Sequence, residues 1–289
     1  MKRYLLLLVL IVIGMISVAV AQDTGSTAQR IISLSPINTE NVYLLNAQDR
    51  LIANTIYCVN PPEAKEKKKI GTLLQANIEK IVSLKPDLVL ATSLTRPRQV
   101  AKLKRLGIKV VQFTQPANFD EIGAQFIEMG QLIGREKRAR RIVNEARKAI
   151  DHIRQKTAGR LKKKVFLQVG TRPLFSSLED SFTNEFITLG GGQNIAKGSL
   201  QGVYSREKVI AQNPDLIIIA IMGTEGVAGE KEQQKWMRYP SISAVKKKEI
   251  HIVDPNLVCS PSPRTFVEAL RTIASLIHPE VILKGKGDE

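Results

Sequence analysis

The chain is poor in the residues that most often carry chemistry. It has two cysteines, three histidines and one tryptophan among 289 residues, and aromatics make up 5%. Two cysteines are too few for a disulfide-built scaffold. The histidines, His152, His251 and His278, stand at no metal-ligand spacing from one another or from a cysteine, so a zinc or manganese centre has little support. There is no Gly-x-Ser-x-Gly and no cysteine in a recognisable catalytic setting, which removes the common nucleophile signatures. Gly190-Gly191-Gly192-Gln193-Asn194 lacks the Lys-Ser/Thr of a phosphate loop and follows a helical stretch, so it reads as a helix stop. Only one long apolar run occurs, and it lies at the N-terminus, which excludes a polytopic membrane protein.

That run follows Lys2 and Arg3, extends from Leu5 to Val20, and ends in Ala19-Val20-Ala21. A short positive start, an apolar stretch too short to span a bilayer and a small-x-small ending predict a signal peptide cleaved after Ala21. The competing reading is a retained anchor. No cysteine follows the run to carry a lipid. Export makes a disulfide between Cys58 and Cys259 chemically available, the alternative being one free thiol per lobe. It also argues against nucleic acid as the partner of the basic surface, although Lys and Arg outnumber Asp and Glu by 43 to 27, a net charge of +16. Without Lys2 and Arg3 the net charge is +14.

A hydrophobic content of 43% and a charged content of 24% are those of a globular protein, and the length suits about two domains. Short apolar runs, Ile31–Leu34, Leu51–Ala53, Leu88–Ala91 and Ile108–Phe113, alternate with helical segments. This predicts an α/β lobe with a parallel sheet over residues 22–133. Residues 134–161 contain no proline, and Ile142, Val143, Ala146, Ala149, Ile150 and Ile153 recur at helical spacing. They predict one long connecting helix whose arginines form a solvated face. The α/β pattern resumes over residues 162–289. Asn77 to Ala91 (NIEKIVSLKPDLVLA) matches Ser205 to Ile219 (SREKVIAQNPDLIII) at a constant offset of 128, pairing Glu79 with Glu207 and Asp87 with Asp215. A helix, a Pro-Asp turn and a buried strand therefore recur, as expected of two similar lobes. Arg96, Arg172 and Arg264 fall near strand ends, where α/β folds bind ligands and where guanidinium suits carboxylate or phosphate.

The plan of lobe, long helix and lobe, with RIISLSPINTE (Arg30 to Glu40), GTLLQANIEKIVSLKPDLVLAT (Gly71 to Thr92), GGGQNIA (Gly190 to Ala196) and SPSPRTFVEALRTIASLIHPE (Ser260 to Glu280), resembles a known family. It is similar to the class III substrate-binding proteins of ABC importers for cobalamin and iron chelates, most of all to their cobalamin-binding members. The resemblance implies two α/β lobes joined by a rigid helix, a ligand cleft between them, small closure, and delivery of the ligand by a monomer to an inner-membrane permease. It implies no enzyme activity and no cofactor. It makes Glu79 and Glu207 the permease-docking residues, one per lobe. Tyr57 matches an aromatic that cradles the corrin ring. Leu73, Gln201 and Leu257 stand where the cobalamin binders carry aromatics, with Tyr204, Trp236 and Phe175 as compensating candidates. Arg96, Arg172 and Arg264 would instead suit an anionic ferric siderophore or haem. A corrinoid is favoured. An exported enzyme using the same cleft, or an anchored sensory ectodomain, are the alternatives from other classes.

Overall fold

The computed structural model describes residues 27–198, 202–222 and 227–281. The predicted signal peptide and its cleavage point lie outside these residues. The first lobe runs β1 (Ile31–Ser33), α1 (Pro36–Leu44), β2 (Leu51–Asn54), β3 (Lys68–Lys69), α2 (Ile78–Ser83), β4 (Leu88–Thr92), α3 (Pro97–Arg105), β5 (Val110–Phe113) and α4 (Phe119–Leu132). Its five strands are all parallel, in the order β3-β2-β1-β4-β5. β1 and the first four residues of β4 are wholly buried, which is why they read as unbroken apolar runs.

α5 (Glu136–Thr157) joins the lobes. Its buried face is Ala139, Val143, Ala146, Ile150 and Ile153. Its outer face carries the exposed pairs Arg140–Glu136, Arg141–Glu145 and Arg154–Asp151, so the basic run is solvated as expected. Gly130 of α4 lets α5 approach closely: a Cβ there would stand 2.6 Å from that of Ala139.

The second lobe runs β6 (Lys164–Thr171), β7 (Leu174–Ser176), α6 (Phe182–Leu189), β8 (Gln193–Asn194), α7 (Arg206–Gln212), β9 (Leu216–Ile219), α8 (Val227–Trp236), α9 (Ser243–Lys246), β10 (Ile250–Ile252), α10 (Pro255–Cys259) and α11 (Pro263–Ile277). The order is β10-β9-β6-β7, with β8 also on β6. One pairing departs from the parallel expectation, the antiparallel hairpin β6–β7. The chain reverses at Arg172 and Pro173, so Arg172 sits in a hairpin turn and not in a loop that continues from a strand end.

The repeat has a physical basis. Lys85 and Asn213, 128 positions apart, both take the left-handed conformation, with φ of 47° and 46°. Just beyond them, the Asp87 carboxylate accepts the Arg30 N–H at 3.0 Å, and Asp215 accepts the Lys164 N–H at 3.1 Å. Each Pro-Asp turn thus anchors its strand to the strand entering the middle of its own sheet.

The lobes share a hydrophobic core. Phe119 at the start of α4 meets Phe266 of α11 with ring centroids 5.0 Å apart, and Phe266 meets Phe186 of α6 at 4.7 Å. The Glu185 carboxylate accepts the Phe119 N–H at 2.6 Å across the same junction. The Gly190–Gly192 turn packs here too, Gly191 with φ of 83° lying against His278 and Thr157, which makes it structural. Replacing Phe266 by Ala should cost about 3–5 kcal/mol of unfolding free energy in denaturant titration, with one cooperative transition retained. A second transition, one lobe melting before the other, would show that the core is not shared.

Candidate functional site

A cleft of about 450 Å³ opens between the lobes, within the ordinary range for small-molecule sites. The first lobe supplies one wall from the segments that follow its strands: Ser35–Asn38 with Glu40 and Asn41, Tyr57, Val59, Asn60, Thr92–Leu94 and Phe113–Pro116. Leu73 and the α4 side chains Ile122, Gln125 and Met129 complete it. The second lobe supplies Phe182, Met222, Asn256, Cys259, Ser260 and Pro261.

The segment SLSPINTE is built to form this wall. Ser35 caps α1 by accepting the Asn38 N–H at 3.3 Å, Pro36 pre-sets the first turn, and the Asn38 amide donates to the Ala91 carbonyl at 3.1 Å. The helix start is thereby pinned to the end of β4. Opposite, Ser262 and Thr265 form a reciprocal cap on α11, which fixes the Ser260-Pro261 corner.

Of the side chains expected to bind ligand, Tyr57 and Leu73 line the cleft. Tyr57 is 57% exposed, an aromatic face with nothing packed over much of it. The others lie elsewhere. Trp236 is fully buried in the second lobe, its indole N–H donating to Gln168 at 2.8 Å and the Arg206 guanidinium lying 4.4 Å over its ring. A side chain so enclosed cannot compensate for a missing wall residue. Tyr204 donates its hydroxyl to the Ile195 carbonyl at 3.1 Å and packs on Phe166. Phe175 folds back over Gly170 of its own hairpin. Leu257 faces the core and a small separate hollow with His251 and Leu276. Arg96, Arg172 and Arg264 are exposed and absent from the lining. Gln201 lies outside the described residues. Of the two alternatives for the cysteines, the structure has a free thiol in each lobe and no disulfide between them. Cys58 is buried 3.2 Å from the Thr55 hydroxyl, whereas Cys259 lines the cleft, and burial with the nearby Asp254 charge pushes its thiol up to about 11.

Glu40 is the residue that sequence reasoning passed over. In the sequence it is only the last residue of the segment RIISLSPINTE. Among the described residues it is the one charged group in the lining. Burial, then the charge of Asp254 from the second lobe, raises its carboxyl from 4.5 to about 7. No signal in the sequence marks this, because both causes, burial first and then the charge of Asp254 more than 200 positions away, arise only from the fold.

Glu79 and Glu207 stand at the same place in their lobes, each the second residue of a short helix and each exposed. The caps repeat too: Asn77 accepts the Lys80 N–H at 2.8 Å and Ser205 the Lys208 N–H at 3.2 Å. Glu207's own N–H and the Ser205 hydroxyl hold the Glu207 carboxyl below the usual range.

The profile described as periplasmic binding protein matches residues 31–257. An uncharacterised ABC transporter substrate-binding lipoprotein of Bacillus subtilis (strain 168) is 32% identical over 260 residues, covering 87% of this chain and 81% of the relative. A vitamin B12-binding protein of Yersinia pseudotuberculosis serotype O:3 is 33% identical over 199 residues, 68% of this chain and 71% of its own. The crystal structure of the periplasmic vitamin B12-binding protein of Vibrio cholerae superposes with a TM-score of 0.73 at 27% identity, covering 86% of this chain and 96% of that one.

The raised Glu40 carboxyl has a consequence for stability. The unfolded chain releases this proton near 4.5 and the folded chain near 7, so the stability it contributes is full below 4.5 and is lost as pH rises through 7. Glu40→Gln removes that loss. Its melting temperature should match the wild type at pH 4.5 and exceed it by about 2–4 °C at pH 8.5 for each kcal/mol released. Equal melting temperatures at both pH values would show that Glu40 is solvated.

Proposed function

This chain belongs to the periplasmic binding protein family, and on that footing we propose that it captures a corrinoid between its lobes and delivers it to an ABC permease. It is a substrate-binding protein and not an enzyme. The observation that carries the corrinoid reading is the character of the cleft. Its walls are largely aliphatic and aromatic, Tyr57 offers an open ring face, and its polar groups are mostly amides and hydroxyls. A corrin ring edged with amides matches such a surface by apolar contact and neutral hydrogen bonds. The anionic-chelate reading required arginine at the cleft, and no Lys or Arg is among the described lining residues. The names of the Yersinia and Vibrio relatives support the same choice.

In this reading residues 1–21 are removed on export, the protein acts as a periplasmic monomer, and lobes 22–133 and 162–289 flank the connecting helix. No helix among the described residues is long and apolar enough to cross a membrane. Glu79 and Glu207 then meet basic groups on the permease. Two exposed carboxylates at equivalent helix starts, one per lobe, give a pseudo-symmetric charge-assisted grip.

Absorbance titration of the purified protein with cyanocobalamin, haemin and ferric citrate tests the ligand. One equivalent of cyanocobalamin should bind with a Kd of about 1 µM or tighter, some −8 kcal/mol. Binding of only haemin or the ferric chelate would overturn the assignment. Docking is tested separately. The double variant Glu79→Lys, Glu207→Lys should abolish corrinoid uptake by cells that depend on this protein while its Kd stays within about twofold of the wild type. Unchanged uptake would remove both residues from the docking surface.

A further inference from the structure

The net charge of the chain is +16, yet among the described residues the cleft is lined by one charge, and that charge is negative. The Glu40 carboxylate has no hydrogen-bonding or ion-pairing partner among the described residues. The residue beside it is an acceptor in want of a donor as well. The Asn41 side chain, 9% exposed, leaves its Oδ1 buried without a partner, whereas the unpartnered Thr92 hydroxyl can donate as well as accept. Both residues line the cleft with Glu40. From the other lobe Asp254 adds a second negative charge close enough to be felt by Glu40, while its own oxygen is occupied by the Asn256 N–H at 2.8 Å.

A buried acceptor without a donor costs about 1–3 kcal/mol, so the Glu40 carboxylate and the neighbouring Asn41 Oδ1 amount to a standing demand for a donor. A ligand amide or ammonium N–H satisfies it. A ligand carboxylate meets two negative charges in a partly desolvated space and finds no base to pair with.

We propose that Glu40 and Asn41 form a donor-seeking subsite on the first-lobe wall that binds a peripheral amide or cationic N–H of the ligand and rejects anionic ligands. The subsite selects by charge and is separate from the apolar surface around Tyr57 that supplies area. It rests on the cleft being the ligand site, with a corrinoid as its occupant, and it adds which chemical edge of that ligand is read.

The test compares the wild type, Glu40→Gln and, as a surface-charge control, Glu128→Gln at the exposed Glu128. Each is titrated at pH 8 with cyanocobalamin, with the monocarboxylic acids made by hydrolysing one of its propionamides, and with haemin. Cooperative melting of each variant is checked first; Glu40→Met takes the place of E40Q should the latter not melt cooperatively. The wild type and E128Q should bind at least one acid about tenfold or more weakly than the parent amide, and E40Q should reduce that ratio to about threefold or less. No discrimination by the wild type, or a ratio that E40Q leaves unchanged, overturns the subsite. If no corrinoid binds and haemin does, the corrinoid reading fails alone when E40Q tightens haemin about fivefold or more, and both fail when E40Q changes nothing. Binding of none of these ligands by either protein overturns both.

Discussion

The contact on which this structure depends is the aromatic junction of Phe119, Phe266 and Phe186. It joins the two sheets through one shared cluster, beside the smaller cluster that each lobe keeps on its other face. Phe119 opens α4 in the first lobe, and Phe186 and Phe266 come from α6 and α11 in the second, with rings 5.0 and 4.7 Å apart. α5 runs alongside and buries Val143, Ala146, Ile150 and Ile153 in the same cluster. Close-packed interiors resist shear. The cleft is therefore a space left between two bodies that are already joined, with room for side-chain adjustment more than for a wide hinge swing. Its walls are then set by the helix caps at Ser35 and Ser262, which hold the Ser-Pro corners of each lobe in place.

A preformed cleft lets a small number of polar groups decide what enters. Apolar contact along Tyr57, Leu73, Phe113, Phe182 and Met222 scales with ligand area and discriminates weakly among large flat ligands. Unpaired buried acceptors and an isolated carboxylate discriminate strongly, because an ill-matched ligand leaves them unsatisfied. The positive charge of the rest of the chain is distributed away from this space, on the outer face of α5 and on lysine-rich turns such as Lys246–Lys248. Among the described residues the excess positive charge therefore belongs to the outer surface and not to the cleft.

Much of the fold was legible because it rests on local rules. Pro86-Asp87 and Pro214-Asp215 mark the repeat, and the structure supplies the reason: each aspartate caps the strand beside it. The heptad-like spacing of Val143, Ala146, Ile150 and Ile153 marked the long helix, which spans the 22 residues Glu136–Thr157 within the expected 134–161. The hairpin β6–β7 was missed because Gly170-Thr171-Arg172-Pro173 looks the same whether it leads into a loop or reverses the strand. Site residues were less legible. Tyr57 and Leu73 came from family resemblance and do face the cleft. Trp236 was named as a compensating aromatic, but its indole N–H has a buried partner in Gln168 and its ring lies inside the second lobe. The arginines were chosen for their chemistry, and nothing in a sequence says which way a loop side chain points. Glu40 was overlooked because its distinction arises from burial and from Asp254 across the lobe boundary.

In the proposed function a corrinoid occupies a rigid, preformed interlobe cleft. A crystal structure of the cyanocobalamin complex should show the corrin between Tyr57 and Phe182, an amide nitrogen within hydrogen-bonding distance of Glu40, and lobes displaced by about 1 Å or less from the unliganded arrangement. A corrin bound outside the cleft, or a hinge rotation that separates Phe119 from Phe266, would contradict it.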